Sequence, residues 1–244
     1  MPGPMLSGMW VFPLAAAAVA VAFSGLIAKQ YLARRRPYQL AWVLALAMYA
    51  AASLAVVFGM TVGWTPRAFQ VYWALGAVLN VPFLAAGELM LLVRSPRVRT
   101  ACWIVLVFVT AYTVSVLRGA SFDSAGLAGD LPSGRGVLGE GSAAQRLPQL
   151  ISTPSYLVLV AGALWSAWRL RGRPELRDRF VGTLMIVFGA TLIAGFGSYF
   201  AFSGWAAAFS LALATGIALM FVGFLRAARH AVTPVPTGAS PRSV

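Results

Sequence analysis

The feature that most constrains the fold of this chain is a series of seven apolar runs, each of 18 to 25 residues and nearly free of charged side chains. A helix of about 20 residues spans the roughly 30 Å hydrocarbon core of a bilayer. Inside lipid the backbone must satisfy its own hydrogen bonds, and a helix does so within one segment. We therefore predict an all-α integral membrane bundle of seven transmembrane helices. The predicted spans are residues 9–28, 39–60, 69–93, 100–117, 150–170, 181–200 and 205–225.

The overall composition excludes the soluble classes of protein. Hydrophobic residues make up 60% of the chain and charged residues only 10%, and the mean hydropathy is +0.80. A soluble domain carries about 25% charged residues. A globule of this composition could not cover its surface with polar groups, so a soluble enzyme or binding domain is excluded.

The predicted spans leave little room for a second domain. We predict one seven-helix domain over residues 1–230 and a disordered cytoplasmic tail over residues 231–244, where Pro, Ser and Thr occur without apolar periodicity. The one long connection, the outer loop 118–149, is rich in Gly, Ser and Ala. Loops of this length are usually functional or disordered, so it is interpreted either as a mobile linker or as a lid over an outward-facing cavity.

The distribution of basic residues predicts how the chain crosses the membrane. Fifteen of the 19 Lys and Arg residues lie in the connections after the first, third and fifth spans and in the C-terminal tail. Cytoplasmic segments carry such an excess, which places the N-terminus outside and the C-terminus in the cytoplasm. All eight Trp residues lie near the ends of predicted spans, at the depth that indole rings prefer. We predict a multi-pass protein of the plasma membrane. Almost all of its basic residues are Arg and not Lys, which is typical of bacteria with GC-rich genomes.

The formal net charge of +13 could indicate binding to a nucleic acid or to a membrane surface, and the positions of the basic residues favour the membrane. The basic residues occupy short segments between apolar runs and form no separate basic domain. We therefore expect them to contact the bilayer, with anionic lipids at the cytoplasmic face.

The scarcity of reactive side chains argues against an enzyme. Cys102 is the only cysteine and His230 the only histidine. An intrachain disulfide, bis-histidine haem ligation, a zinc protease motif of the HExxH kind and a Ser-His-Asp triad within one chain are therefore excluded. The GxGxxG pattern at residues 134–139 has no preceding strand and predicts no nucleotide site. We predict no catalytic residues, no metal site and no cofactor.

Small residues recur along one face of the last two spans. Gly182 and Gly189 share a face of the sixth span, and Gly216 and Gly223 lie together on the seventh. Small residues let helices approach closely in lipid, so these faces predict interhelical packing.

A few uncharged polar side chains within the spans are candidates for lining a ligand cavity. Two interpretations stay open for them: contacts between helices, or a cavity for a small or lipophilic ligand. The candidates are Asn80, Tyr112, Ser152, Ser155 and Tyr156, together with Glu88.

Glu88 is the only carboxylate inside an apolar run. Ionisable groups within a membrane are functional candidates by default. Arg94 follows six residues later, roughly 9 Å along a helix. Glu88 is therefore interpreted either as snorkelling or pairing with an Arg near the cytoplasmic interface, or as a proton-coupling site.

With seven predicted helices and an outer N-terminus, the chain resembles the microbial opsins in outline only. An opsin carries a lysine in its seventh helix, whereas span 205–225 has none and Lys29 lies in a connection. The stretches RPYQLAWVLALAMYA (36–50), GWTPRAFQVYWALGAVLNVPFLAAGELMLL (63–92) and ALMFVGFLRA (218–227) resemble a group of small, uncharacterised seven-helix membrane proteins of high-GC bacteria. This resemblance implies the seven-helix topology and no activity.

Two functions from different classes follow. The first is a non-enzymatic membrane protein that binds a lipophilic small molecule or a membrane protein partner, as a sensor or accessory subunit. The alternative is a proton-coupled transporter of small solutes that uses Glu88 as its proton site.

The predicted direction can be tested by cysteine labelling in a Cys102→Ser background. A membrane-impermeant maleimide should label Ser121→Cys on intact cells, because this position lies in the predicted outer loop. The matched variant Arg173→Cys, in a predicted cytoplasmic connection, should react only after lysis. The reverse pattern would overturn the predicted orientation.

Overall fold

The computed structural model describes residues 8–203 and 205–228, and within these ranges it contains eight helices and no strand. Seven helices are long and apolar enough to cross a membrane, so the chain is an all-α, multi-pass membrane protein. His230 and the predicted tail 231–244 lie outside the described residues. The helices are α1 Val11–Arg34, α2 Pro37–Val62, α3 Pro66–Leu92, α4 Pro96–Arg118, α5 Gly134–Leu138, α6 Ala143–Leu170, α7 Arg177–Ala201 and α8 Ala206–Ala228.

Several helices begin before the apolar runs that predicted them. Pro37, Pro66 and Pro96 occupy the first positions of α2, α3 and α4, and a proline is favoured there because its fixed φ suits the helix and its missing N–H is not needed. Helix α6 begins seven residues before residue 150, where Ser142 accepts a hydrogen bond from the N–H of Gln145. Apolar content alone misses these starts because the first turns are polar.

Six of the long helices form a closed ring, and the seventh lies outside it. Around the ring α1 contacts α2, α2 contacts α3, α3 contacts α6, α6 contacts α7, α7 contacts α8, and α8 contacts α1. Helix α4 packs against the outside of α3, and its large side chains, such as Val107 and Phe108, are exposed. The ring therefore encloses the centre of the bundle without α4.

Helices α7 and α8 approach each other closely at two pairs of glycines. A Cβ at Gly189 would lie 2.5 Å from the carbonyl oxygen of Gly216, and Gly182 lies equally close to the backbone of Gly223. Both contacts exist because neither partner has a side chain, which confirms the predicted packing faces. Phe188, which lies about 100° around α7 from Gly189, is 60% exposed.

The segment between α4 and α6, residues 119–142, folds over one end of the ring and is called the cap. It contains the 3₁₀ turn Ala125–Leu127 and α5, and it buries Leu127, Leu131 and Val137 in the main apolar cluster. The indole N–H of Trp64 donates to the carbonyl oxygen of Asp130 at 3.1 Å. Burial of apolar side chains across the cap favours a lid over a mobile linker.

The close contact between α7 and α8 predicts that a larger side chain at this contact destabilises the fold. Gly189→Val should lower the melting temperature in detergent, because the new side chain meets the backbone of α8 and overpacking costs about 1–3 kcal/mol. The matched variant Gly25→Val on α1 adds the same atoms where nothing lies within 4 Å. Equal melting temperatures for the two variants, measured by circular dichroism, would contradict the packing described here.

Candidate functional site

A cavity of about 650 Å³ lies inside the helical ring, beneath the cap. Helices α2, α3, α6, α7 and α8 line it, and residues 132–135 of the cap cover it. On α3 the lining runs from Tyr72 to Leu84, which corresponds to roughly 18 Å along a regular helix. Ligand pockets have volumes of about 300–1,000 Å³, so this cavity has the size of a small-molecule site.

Three π-helical segments line this one cavity. They are Tyr72–Leu79 in α3, Pro148–Ser152 in α6 and Leu192–Gly197 in α7, and all three contribute lining residues. A π-turn adds a residue to the helical turn, which widens the helix locally, and such turns occur frequently at functional sites. Their convergence on a single space marks the cavity as the candidate functional site.

Two prolines explain where the hydrogen-bond ladder shifts. Pro82 follows the π-segment of α3 and Pro154 follows that of α6, and neither has an N–H to donate to the preceding turn. The carbonyl of Val78 therefore lacks its α-helical partner. The Ser152 hydroxyl supplies one, because it donates to the carbonyl oxygens of Ala77 and Val78 at 2.7 and 2.9 Å. This bond joins α6 to α3 at the cavity wall.

Two tyrosines in the lining also use their hydroxyl groups to connect helices. Tyr49 on α2 donates to the carbonyl oxygen of Leu213 on α8 at 2.9 Å. Tyr156 on α6 donates to the Thr191 hydroxyl on α7 at 2.9 Å, and Thr191 in turn donates to the carbonyl oxygen of Val187 at 2.8 Å. These groups hold the walls of the cavity in place.

Other polar groups in the lining have no partner among the described residues. Asn80 is 4% exposed, and its Oδ1 atom is buried without a hydrogen bond. Neither Ser53 nor Tyr72 makes a side-chain hydrogen bond within the same described ranges, and both line the cavity. The cavity therefore presents several uncharged polar groups in a mostly apolar wall, among them the amide of Asn80 and the hydroxyls of Ser53 and Tyr72.

The electrostatics of the cavity are those of a neutral site. Among the described residues that line it, only Arg135 is charged, and it belongs to the cap. Its Nε atom lies 3.4 Å from a carboxylate oxygen of Glu140, at a solvent-exposed position. The walls formed by the spanning helices carry no charged lining residue, so a charged group placed among them would have no counter-charge.

The cavity has an opening between α6 and α7. Gln149 and Thr153 on α6, and Gly195 and Ser198 on α7, line the cavity and are exposed, unlike the buried residues deeper in the bundle. The contacts between these two helices lie mainly in Arg177–Thr191, before the π-segment of α7. The opening therefore faces the surroundings of the bundle laterally, near the cap end.

Three of the six predicted site residues line the cavity and three do not. Asn80, Ser152 and Tyr156 line it. Tyr112 does not: it is 42% exposed on α4 and stacks on Phe108 with ring centroids 6.3 Å apart. Its placement in a cavity was wrong because α4 lies outside the ring. Ser155 also lies outside the lining, since its hydroxyl donates to the carbonyl oxygen of Ile151 in its own helix at 2.7 Å.

Glu88 lies between α3 and α6, one helical turn beyond the lining residue Leu84. The carboxylate is buried, with 7% of the residue exposed, and Ser166 donates to its Oε1 atom at 3.4 Å. Gly162 makes room for it, because a Cβ there would lie 2.9 Å from the Glu88 Cγ atom. Within the described residues Glu88 is buried and forms no ion pair, which contradicts the first of its two interpretations, snorkelling or pairing with an Arg near the cytoplasmic interface.

Sequence patterns missed Tyr49, Ser53 and Tyr72 as lining residues. Tyr49 and Ser53 are four positions apart on α2 and so share a face, but isolated polar residues among alanines are also typical of plain helix packing. Within residues 8–203 and 205–228, no group of three His, Cys, Asp or Glu side chains comes together as a metal site.

Comparisons with protein-family models, with curated proteins and with solved structures gave no match. The class that the fold and the cavity define is a seven-helix, multi-pass membrane protein with a neutral cavity inside its helical ring.

Proposed function

We propose that this protein binds a neutral, lipophilic small molecule in the cavity and acts as a sensor or accessory subunit of the plasma membrane, without catalysis. The observation that carries the proposal is the cavity of about 650 Å³ whose helical walls are apolar apart from a few uncharged polar groups. Binding sites for small molecules combine an apolar lining with a small number of placed polar groups in this way.

The opening between α6 and α7 supports a ligand that arrives through the bilayer. It is lateral and lies between two spanning helices, so lipid surrounds it in a membrane. The cap covers the cavity from the aqueous side and buries its own apolar side chains there. With the N-terminus outside, as the basic residues favour, the cap faces the exterior.

Filling the cavity should remove the ligand. Ala194→Trp adds an indole in the π-segment of α7 that lines the cavity, and Ala111→Trp adds the same group on the exposed face of α4. Native mass spectrometry of gently solubilised protein, with an absorption spectrum of the same sample, should show a stoichiometric lipophilic molecule in the wild type and the Ala111 variant. That molecule should be lost from the Ala194 variant. Equal retention in both variants, or only random bulk lipid in the wild type, would contradict the proposal.

The buried carboxylate of Glu88 favours a second candidate, a proton-coupled transporter. Glu88 lies next to the end of the cavity and, within the described residues, has Ser166 as its one hydrogen-bond partner. Intramembrane carboxylates in such positions serve as proton sites in transporters. The cavity would then hold the solute and Glu88 the coupled proton.

Substitution of Glu88 separates the two functions. In proteoliposomes with a trapped pH-sensitive dye, Glu88→Gln should abolish proton movement driven by added solutes, because the amide cannot release a proton. Ser166→Ala should keep it, because the acid remains. Solute-driven proton movement that is the same in the wild type and Glu88→Gln would remove this mechanism.

A further inference from the structure

We propose that the ligand is an elongated amphiphile that lies along the spanning helices, with its apolar end deep in the bundle and its polar end beneath the cap. The inference rests on the proposed binding function and specifies the class of ligand and its orientation in the same site. It starts from the distribution of polar residues in the lining, which differs between the two ends of the cavity.

The end of the cavity away from the cap, called the closed end, is apolar. Within the described part of the chain, the lining residues farthest from the cap on each helix are all hydrophobic. They are Ala45 and Leu46 on α2, Leu84 on α3, Leu159 on α6, Ala190 on α7, and Ile217 and Met220 on α8. A hydrocarbon chain suits such a wall, because its contacts leave no polar group without a partner.

Close contacts between helices shut the ring beyond this end. The ring of Trp42 on α2 packs against Gly87 on α3, and its indole N–H donates to the carbonyl oxygen of Leu84 at 3.2 Å. Gly162 on α6 packs against a side chain of α3, and Gly189 on α7 packs against the backbone of α8. The closed end is therefore a place for the end of a molecule and not a passage.

The end beneath the cap is polar. The polar lining residues of this end are Ser133 and Arg135 of the cap, Gln145, Gln149 and Thr153 of α6, and Ser198 of α7. The opening between α6 and α7 lies among them, so a polar group placed there is not sealed in an apolar wall. Because Arg135 pairs with Glu140, its charge is balanced, and a neutral polar end fits this region.

Polar groups also occur in the middle of the cavity, but most of them stabilise the fold. The hydroxyls of Tyr49, Ser152 and Tyr156 donate to acceptors on neighbouring helices. The Oδ1 atom of Asn80 is buried in the wall. The two ends therefore differ most in polarity, and this difference favours one orientation of an amphiphile.

The proposed orientation is the one that a lipid has in the adjacent leaflet. With the cap at the exterior, as the basic residues favour, lipids of the outer leaflet also point their polar ends toward the cap end of the bundle. An amphiphile can then enter between α6 and α7 without carrying its polar end through the centre of the bilayer, where polar groups are costly.

The test maps both ends of a bound probe. Two photoreactive monoacylglycerols are used with the purified protein in phosphatidylcholine vesicles, one with a diazirine at the chain end and one with the diazirine beside the ester. Mass spectrometry of the cross-linked peptides should place the chain end at closed-end residues such as Leu159 and Met220, and the ester near Gln149 and Ser198. Excess unlabelled monoacylglycerol should remove both cross-links. The opposite map, or the same map for both probes, would overturn the orientation.

Leu159→Gln and Leu157→Gln form a matched pair on α6. Leu159 lines the closed end, whereas Leu157 lies outside the lining and is 61% exposed. Below saturation, Leu159→Gln should lower the chain-end cross-link to Met220 about tenfold, because a bound chain would leave the new amide without a partner. Leu157→Gln should keep the wild-type yield. An unchanged yield in Leu159→Gln would contradict an apolar end at this site, and the map of the wild type decides even if that variant does not fold.

Ala194→Trp separates the orientation from the binding function. Cross-links to lining residues that both the competitor and Ala194→Trp remove, but with the two ends reversed, would keep the binding function and reject the orientation. If no lining residue is cross-linked above the level found in Ala194→Trp, the binding function itself fails.

Discussion

The structure depends on one constraint: inside lipid, every backbone N–H and carbonyl group needs a partner supplied by the protein. Regular helices meet this requirement within themselves, but at a proline the helix loses one hydrogen bond and another group must replace it. Pro82 leaves the carbonyl of Val78 without its usual donor, and the Ser152 hydroxyl of α6 provides one. The same proline follows the π-segment Tyr72–Leu79. A local loss of hydrogen bonding thus creates both a contact between helices and a widened wall.

The two halves of the bundle differ because helix α7 changes its geometry along its length. In its first part, Gly182 and Gly189 bring α7 against the backbone of α8, and space there is minimal. After Thr191 the helix continues as the π-segment Leu192–Gly197, and its contacts with α6 largely end. The cavity lies where the walls are wide, and the buried Glu88 lies in the tightly packed part beyond it.

The membrane spans and the glycine faces could be predicted from the sequence because both depend on local periodicity. Seven apolar runs predicted seven helices, and the spacing of Gly182 and Gly189 predicted a face that packs closely. The order of helices around the ring could not be predicted, since it depends on contacts between distant segments. Tyr112 shows the consequence: its sequence setting resembles that of Tyr156, but α4 lies outside the ring. The π-segments were missed because hydrogen-bond register is set by tertiary contacts as well as by residue type.

The lack of charge that identifies the spans also characterises the cavity between them. Among the described lining residues the one charged side chain, Arg135, belongs to the cap, and the helical walls carry none. An ionised group placed among these walls would be buried without a counter-charge, which is costly within a membrane. The low charge that identifies this chain as a membrane protein is therefore also the property that makes a neutral, bilayer-soluble molecule the proposed ligand.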